Sequence, residues 1–154
     1  MLRLSKLTDY ATVILSFMAR DKTQLHAAME IASATGIALP TVSKILKLLV
    51  NANLLISTRG AKGGYALARA PEKISIAAVI SVLEGPIALT ECSISHKGCE
   101  QAAGCDIRDN WSLINQTIHN ALEALTLADM IKPVQSQNPA WKQEILIPIA
   151  SLYR

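Results

Sequence analysis

The hydrophobic period of this chain changes at Asn53, and that change limits what it can fold into. Before Asn53, apolar residues recur three and four positions apart. Leu7, Ala11, Ile14, Leu15 and Met18 form one such series, with Ser5 placed to cap it. A first helix is expected over about Lys6 to Ala19. A second, short helix is expected over about Ala28 to Thr35. It stops at Gly36, because the residue after a helix often needs a positive φ. A third opens at Pro40, which has no N–H to leave unpaired in the first turn. Val42, Ile45, Leu46 and Leu49 form its apolar face. Thr41, Lys44 and Lys47 lie opposite, with Pro40 and Ser43 close to them. After Asn53 two short strands are expected, Leu54 to Thr58 and Tyr65 to Ala68. Between them Arg59-Gly60-Ala61-Lys62-Gly63-Gly64 reads as a glycine-rich, basic hairpin tip.

Helix, tight turn, helix and basic hairpin, in that order, describe a winged helix-turn-helix. One helix fits a major groove and reads base edges with its outer face. The third helix has short polar residues and two lysines on that face and an apolar face to dock on the body. In the wing, Gly60 and Gly63 would let the backbone turn beside phosphates, and Arg59 and Lys62 would supply charge. The charge distribution agrees. Residues 1–73 carry ten Lys or Arg against four Asp or Glu, a balance of +6, while residues 74–154 carry five against eight, a balance of −3. A basic first half suits a polyanion partner, although a solvated surface of uneven charge would look the same. The DNA-binding candidates are Pro40, Thr41, Ser43, Lys44, Lys47, Arg59, Gly60, Lys62 and Gly63.

The second half is organised differently. Ser75 is placed to cap a helix carrying Ile76, Val79, Ile80 and Leu83, and Gly85-Pro86 stops it. Residues 87–109 have no sustained period and read as a loop. From Trp111, the series Trp111, Ile114, Ile118, Ala121 and Leu125 has coiled-coil spacing and predicts a long dimerisation helix. Thr126-x-x-Asp129 resembles a capping box before a last short turn. The organisation expected is therefore a DNA-binding domain over 1–73, a loop and dimerisation helix over 74–132, and a tail over 133–154 with no assigned role. The fold class is mainly α, with a small two-stranded wing.

All three cysteines fall in the loop, as Cys92-x6-Cys99-x5-Cys105. An odd number argues against a disulfide framework. Structural zinc sites usually space two cysteines two to four residues apart, and these gaps are wider. Gly98 and Gly104 each precede a cysteine and permit bending. Three thiolates are soft ligands that suit an iron–sulfur cluster with a fourth ligand from elsewhere. His96, Asp106, Glu91 and Asp9 of a second copy are candidates. A zinc site completed by His96, or three free thiols, are the alternatives.

No apolar run reaches the roughly 18 residues of a membrane span. The N-terminus, Met1-Leu2-Arg3-Leu4-Ser5-Lys6, lacks a secretory pattern, so a cytoplasmic location is expected. No nucleophile–base pairing, Walker-type loop or His-rich metal motif is visible, so no enzyme is expected.

Four stretches together resemble the Rrf-two family of winged-helix regulators, the group that includes IscR and NsrR. They are Leu4-Ser5-Lys6-Leu7-Thr8-Asp9-Tyr10-Ala11, Ile31-Ala32, the wing Arg59 to Tyr65, and the three-cysteine loop. The resemblance covers about residues 1–132. Asn110-Trp111 through Thr126-Leu127-Ala128-Asp129-Met130 is most similar to the branch that regulates the SUF iron–sulfur assembly genes. The resemblance implies a homodimer crossed by the long helix, bound to a pseudo-palindromic operator in double-stranded DNA. It implies Cys92, Cys99 and Cys105 as thiolate ligands of an iron–sulfur cluster, 2Fe-2S in the main reading. Asp9 of the other subunit is then a possible fourth ligand. A nitric-oxide-sensing 4Fe-4S repressor and a zinc-stabilised interaction module are the alternatives. In the IscR branch a histidine three residues after the last cysteine completes the site. This chain has Arg108 there, and a protonated guanidinium offers no lone pair. Many members have Gly where this chain has Asn53, which tolerates the left-handed conformation.

Overall fold

The computed structural model describes residues 3–21, 24–60, 62–90, 93 and 105–132. Its elements are α1 (Lys6–Arg20), α2 (Ala28–Thr35), α3 (Leu39–Asn51), β1 (Leu55–Thr58) and β2 (Gly64–Leu67). A 3-10 turn (Pro71–Lys73), α4 (Ile76–Glu84), α5 (Arg108–Ala124) and α6 (Leu127–Ile131) follow. No single helix among the described residues is long and apolar enough to cross a membrane.

The expected caps form. The Ser5 hydroxyl accepts the Thr8 N–H at 3.3 Å, closing the α1 N-terminus. Gly36 ends α2 at φ 71°, with its N–H on the Ala32 carbonyl at 2.9 Å. Asn53 sits at φ 56°, where a short polar side chain is tolerated. The Ser75 hydroxyl accepts the Ala78 N–H at 3.1 Å at the start of α4. Thr126 and Asp129 exchange bonds at the start of α6. The Thr126 N–H donates to the Asp129 carboxylate at 3.0 Å, and the Asp129 N–H to the Thr126 hydroxyl at 3.3 Å.

The apolar periods become one core. Ile14 and Leu15 of α1, Ile31 of α2, and Val42, Ile45, Leu46 and Leu49 of α3 are fully buried. Leu55, Val79 and Leu127 join them from β1, α4 and α6. Burying one such side chain contributes roughly 1.5–3 kcal/mol relative to exposing it. α1 is the hub and packs on α2, α3, α4, α6 and β2.

The sheet is antiparallel, with Leu55 facing Leu67, Ile56 facing Ala66, Ser57 facing Tyr65 and Thr58 facing Gly64. It has an addition the periodicity did not reveal. His26, between α1 and α2, pairs with Tyr65 on the free side of β2, with both backbone bonds at 2.9 Å. A second isolated bridge joins Ser75 to Thr126, so the chain after α5 returns to the start of α4.

α5 starts at Arg108, three residues before the expected Trp111, and buries no residue fully. The expected seam divides in two. Trp111 and Ile118 lie half-buried in a row with Asn115, His119 and Leu122, on a helix that packs on α4. Ile114 remains 44% exposed, with Ile107 at 56% and Leu113 at 69% beside it. Leu125 is not part of the seam, because its backbone is already extended as the C-terminal cap.

Candidate nucleic-acid interface and cysteine stretch

α3 turns one face to the core and the other outward. Pro40, Lys44 and Lys47 are exposed on the outer face, and Thr41 and Ser43 are half-buried at its margin. A shallow cleft crosses that face between Pro40, Ser43, Lys44, Lys47 and Asn51. A second cleft begins at Lys47 and Asn51 and runs to Thr58, Arg59, Gly63 and Tyr65 of the wing. Of the sequence-predicted DNA-binding residues, Pro40, Ser43, Lys44, Lys47, Arg59 and Gly63 line these two clefts, which share Lys47 and Asn51, while Thr41, Gly60 and Lys62 line neither. Among the described residues, none of Lys44, Lys47, Arg59 and Lys62 is tied up in an ion pair.

The wing glycines serve different purposes. Gly60 has φ 115°, a conformation that side chains resist. Gly63 does not. A Cβ there would sit 2.2 Å from the Thr58 carbonyl oxygen and 2.9 Å from that of Gly60. Gly63 is needed because the two sides of the hairpin touch, and its N–H donates to the Gly60 carbonyl at 2.9 Å. Gly64 meets the backbone of His26 in the same way: a Cβ on Gly64 would stand 2.9 Å from the His26 carbonyl oxygen.

Cys92, Cys99, His96 and Glu91 lie outside the described residues. Cys105 is half-buried, and its carbonyl accepts the Arg108 N–H at 3.3 Å at the start of α5. Asp106 is exposed, and Asp9 is exposed in the first turn of α1. The approach to the cysteine stretch is held by a residue not singled out in the sequence. Asn115 of α5 accepts the Leu89 N–H at 3.1 Å and donates to the Ile87 carbonyl at 3.1 Å. The segment before Cys92 and the segment after Cys105 are thus both anchored to α5. Three thiols in a stretch held at both ends on one helix suit a soft, thiophilic centre.

A clasp joins the end of α4 to the start of α1. The Glu84 carboxylate accepts the Ser5 N–H at 2.8 Å and also the Thr8 hydroxyl. The Thr8 hydroxyl, and after it Ser5, hold the Glu84 carboxyl below its usual range. Gly85 and Pro86 follow Glu84 and lead toward the cysteines, while Asp9 follows Thr8. Glu84 carried no sequence signal of this role, because its partners lie 76 and 79 residues away.

The model of the Rrf2 family, described as an iron-dependent transcriptional regulator, matches residues 4–133. This chain belongs to the Rrf2 family. The HTH-type transcriptional regulator NsrR of Geobacillus kaustophilus is 31% identical over 133 residues, covering 85% of this chain and 90% of that protein. Among solved structures, CymR, the global cysteine regulator of B. subtilis, is similar with a TM-score of 0.67 and 30% identity. The match covers 85% of this chain and 97% of that one. T. potens IscR is similar with a TM-score of 0.66 and 26% identity over 92% of this chain and 96% of that one. The relatives are transcriptional regulators, not enzymes, and membership makes this Rrf2 chain a DNA-binding transcription regulator.

Proposed function

We propose that this protein is a homodimeric, cytoplasmic repressor whose hold on DNA depends on an iron–sulfur cluster, and that it controls iron–sulfur assembly genes. One observation carries the sensing part: three cysteines in one stretch whose two ends are both anchored to α5. Cys92, Cys99 and Cys105 are the thiolate ligands in this reading, with Asp9 of a second copy as the fourth. When bound, the cluster, taken as 2Fe-2S, supplies a thiolate-held centre whose presence reports the cell's iron–sulfur supply.

The DNA-binding side rests on the outer face of α3 and the wing. Thr41, Ser43 and Lys44 face base edges, with Pro40 beside them at the start of α3. Lys47, Arg59, Lys62 and the backbone at Gly60 and Gly63 meet phosphates or the minor groove. A pseudo-palindromic operator with half-sites about 34 Å apart, or a multiple, fits a symmetric pair of such heads. Dimerisation is supported by the exposed row Ile107, Leu113 and Ile114, an apolar surface that nothing in a single chain covers among the described residues.

The two parts are coupled through the chain. Asn115 holds Ile87 and Leu89, and Cys105 bonds to Arg108, so α5 is tied to the chain on both sides of the cysteine stretch. Glu84 fixes the end of α4 to the N-terminus of α1, which packs under α3. A change in the cysteine stretch therefore reaches the helices that carry the reading head. Such coupling typically amounts to about 1–3 kcal/mol, or roughly 5–150-fold in affinity. The test is anaerobic purification with iron and sulfide analysis, then DNA affinity of holo and apo protein at one salt concentration. Cys→Ala at any of the three positions is expected to abolish cluster retention and leave a folded dimer. Equal affinity of holo and apo protein for every candidate operator would overturn the sensing role.

A further inference from the structure

His26 touches the wing, α1 and α2 at once. Its backbone pairs with Tyr65 in both directions at 2.9 Å. Tyr65 in turn faces Ser57 of β1, so the row runs across the whole sheet. The side chain is 3% exposed. Its Nδ1 lies 3.0 Å from a carboxylate oxygen of Glu30 in the first turn of α2. The ring meets Phe17 of α1 edge-on, with centroids 5.1 Å apart. Nε2 is buried without a partner among the described residues. The ring is thus held by one hydrogen bond and one aromatic contact.

Any residue except proline could make the two backbone bonds, and the side chain does something more specific. A two-stranded hairpin by itself is marginal in water and has no defined angle to its body. β1 follows α3 directly, while β2 packs on α1 and is hydrogen-bonded to the segment between α1 and α2 through His26. Glu30 secures that link twice over. One oxygen takes the ring, and the other accepts the Ala27 N–H at 3.3 Å, closing an α2 N-terminus whose capping residue has no side-chain acceptor. Gly64 permits the close approach, since a Cβ there would meet the His26 backbone.

We propose that His26, held by Glu30, is a positioning residue for DNA binding: it sets the wing against α3, so that Arg59 and Lys62 meet the same duplex as Lys44 and Lys47. This rests on the reading that the wing touches DNA. His26→Leu keeps the bulk and loses Nδ1, whereas His26→Asn restores a donor near that position. Glu30→Ala removes the acceptor from a side chain that is 46% exposed, so it leaves the core untouched.

The experiment measures binding to a mixed-sequence duplex of about 30 base pairs, long enough for two half-sites a turn apart. Affinity is read across a salt series for each variant with and without Lys62→Ala. In the otherwise unchanged protein, Lys62→Ala is expected to lower the salt slope by about one unit. His26→Leu and Glu30→Ala are each expected to weaken binding, by roughly tenfold for the histidine. In either background Lys62→Ala then changes the slope little, because the wing no longer seats. Lys44→Ala keeps its full effect in both backgrounds. His26→Asn recovers part of the affinity and of the Lys62 effect. If His26→Leu fails to fold, the Glu30→Ala pair decides. An undiminished Lys62 effect in the Glu30→Ala background, or no recovery in a folded His26→Asn protein, overturns the positioning role. A Lys62→Ala change without effect in the unchanged protein overturns the wing reading itself and is distinguishable from the first outcome.

Discussion

Leu46 of α3 is fully buried, while Leu113 of α5 is 69% exposed. Both are leucines on regular helices of amphipathic pattern. Their helices differ in what the rest of the chain offers them. α3 lies between α1, α2 and β1, and its apolar face is closed by its own chain. α5 packs one row of side chains on α4 and leaves Ile107, Leu113 and Ile114 in solvent. The first region is complete in one copy. The second leaves apolar surface uncovered among the described residues, the surface on which the proposed dimer rests.

The sharpest way to break this contrast is Ile114→Asp. The residue is exposed in a single chain, so the fold should survive. In a closed dimer interface an unpaired carboxylate costs roughly 3–5 kcal/mol. Sedimentation is expected to show folded monomers; a variant that remains dimeric would remove α5 from the interface. Leu46→Ala tests the other side. It leaves a cavity in a closed core and is expected to cost about 2–5 kcal/mol in denaturant unfolding. Leu113→Ala in the same assay, made in the monomeric Ile114→Asp background, should stay within about 0.5 kcal/mol, because Leu113 is exposed in a single chain.

A smaller effect separates local from tertiary stabilisation at α6. Thr126→Ala removes one half of the capping box and is expected to cost about 1 kcal/mol, read as a lower unfolding midpoint at neutral pH.

The smallest predicted effects depend on acid. Asp129 is held at about 2, first by Lys132 and then by Thr126, below its ordinary 3.8. Glu84 is likewise held below its ordinary 4.5 by Thr8 and Ser5. Both carboxyls have lower values in the folded chain than in the unfolded one. Their contribution is therefore complete above the ordinary values and is lost as pH falls through the lowered ones. Glu84→Gln should flatten the dependence of unfolding midpoint on pH below about 4.5. It should leave the neutral-pH dependence unchanged. Asp129→Asn should act on the lower part of the same curve. An acid limb identical to that of the unchanged protein would show that the α1–α4 clasp does not form in solution.

Much of the winged helix was legible in the chain itself. Caps and periods are local signals, carried by residues within four positions of one another. Ser5, Gly36, Ser75 and Thr126 each act in the structure as their neighbours predicted. The apolar face of α3 and the two strands followed within a residue or so of their observed bounds. The exposure of Pro40, Lys44, Lys47, Arg59 and Lys62 was legible for the same reason: which side of a helix or hairpin meets solvent follows from its period. What tertiary structure alone decided lies between distant residues. His26 pairs with Tyr65, Glu84 with Ser5 and Thr8, and Asn115 with Ile87 and Leu89. No spacing announces such pairs, because they meet only after the helices between them have packed. The division of the α5 seam has the same origin. Its period marked an apolar side, but which part of that side the chain covers with its own α4, and which part it leaves exposed, depends on how the two helices cross.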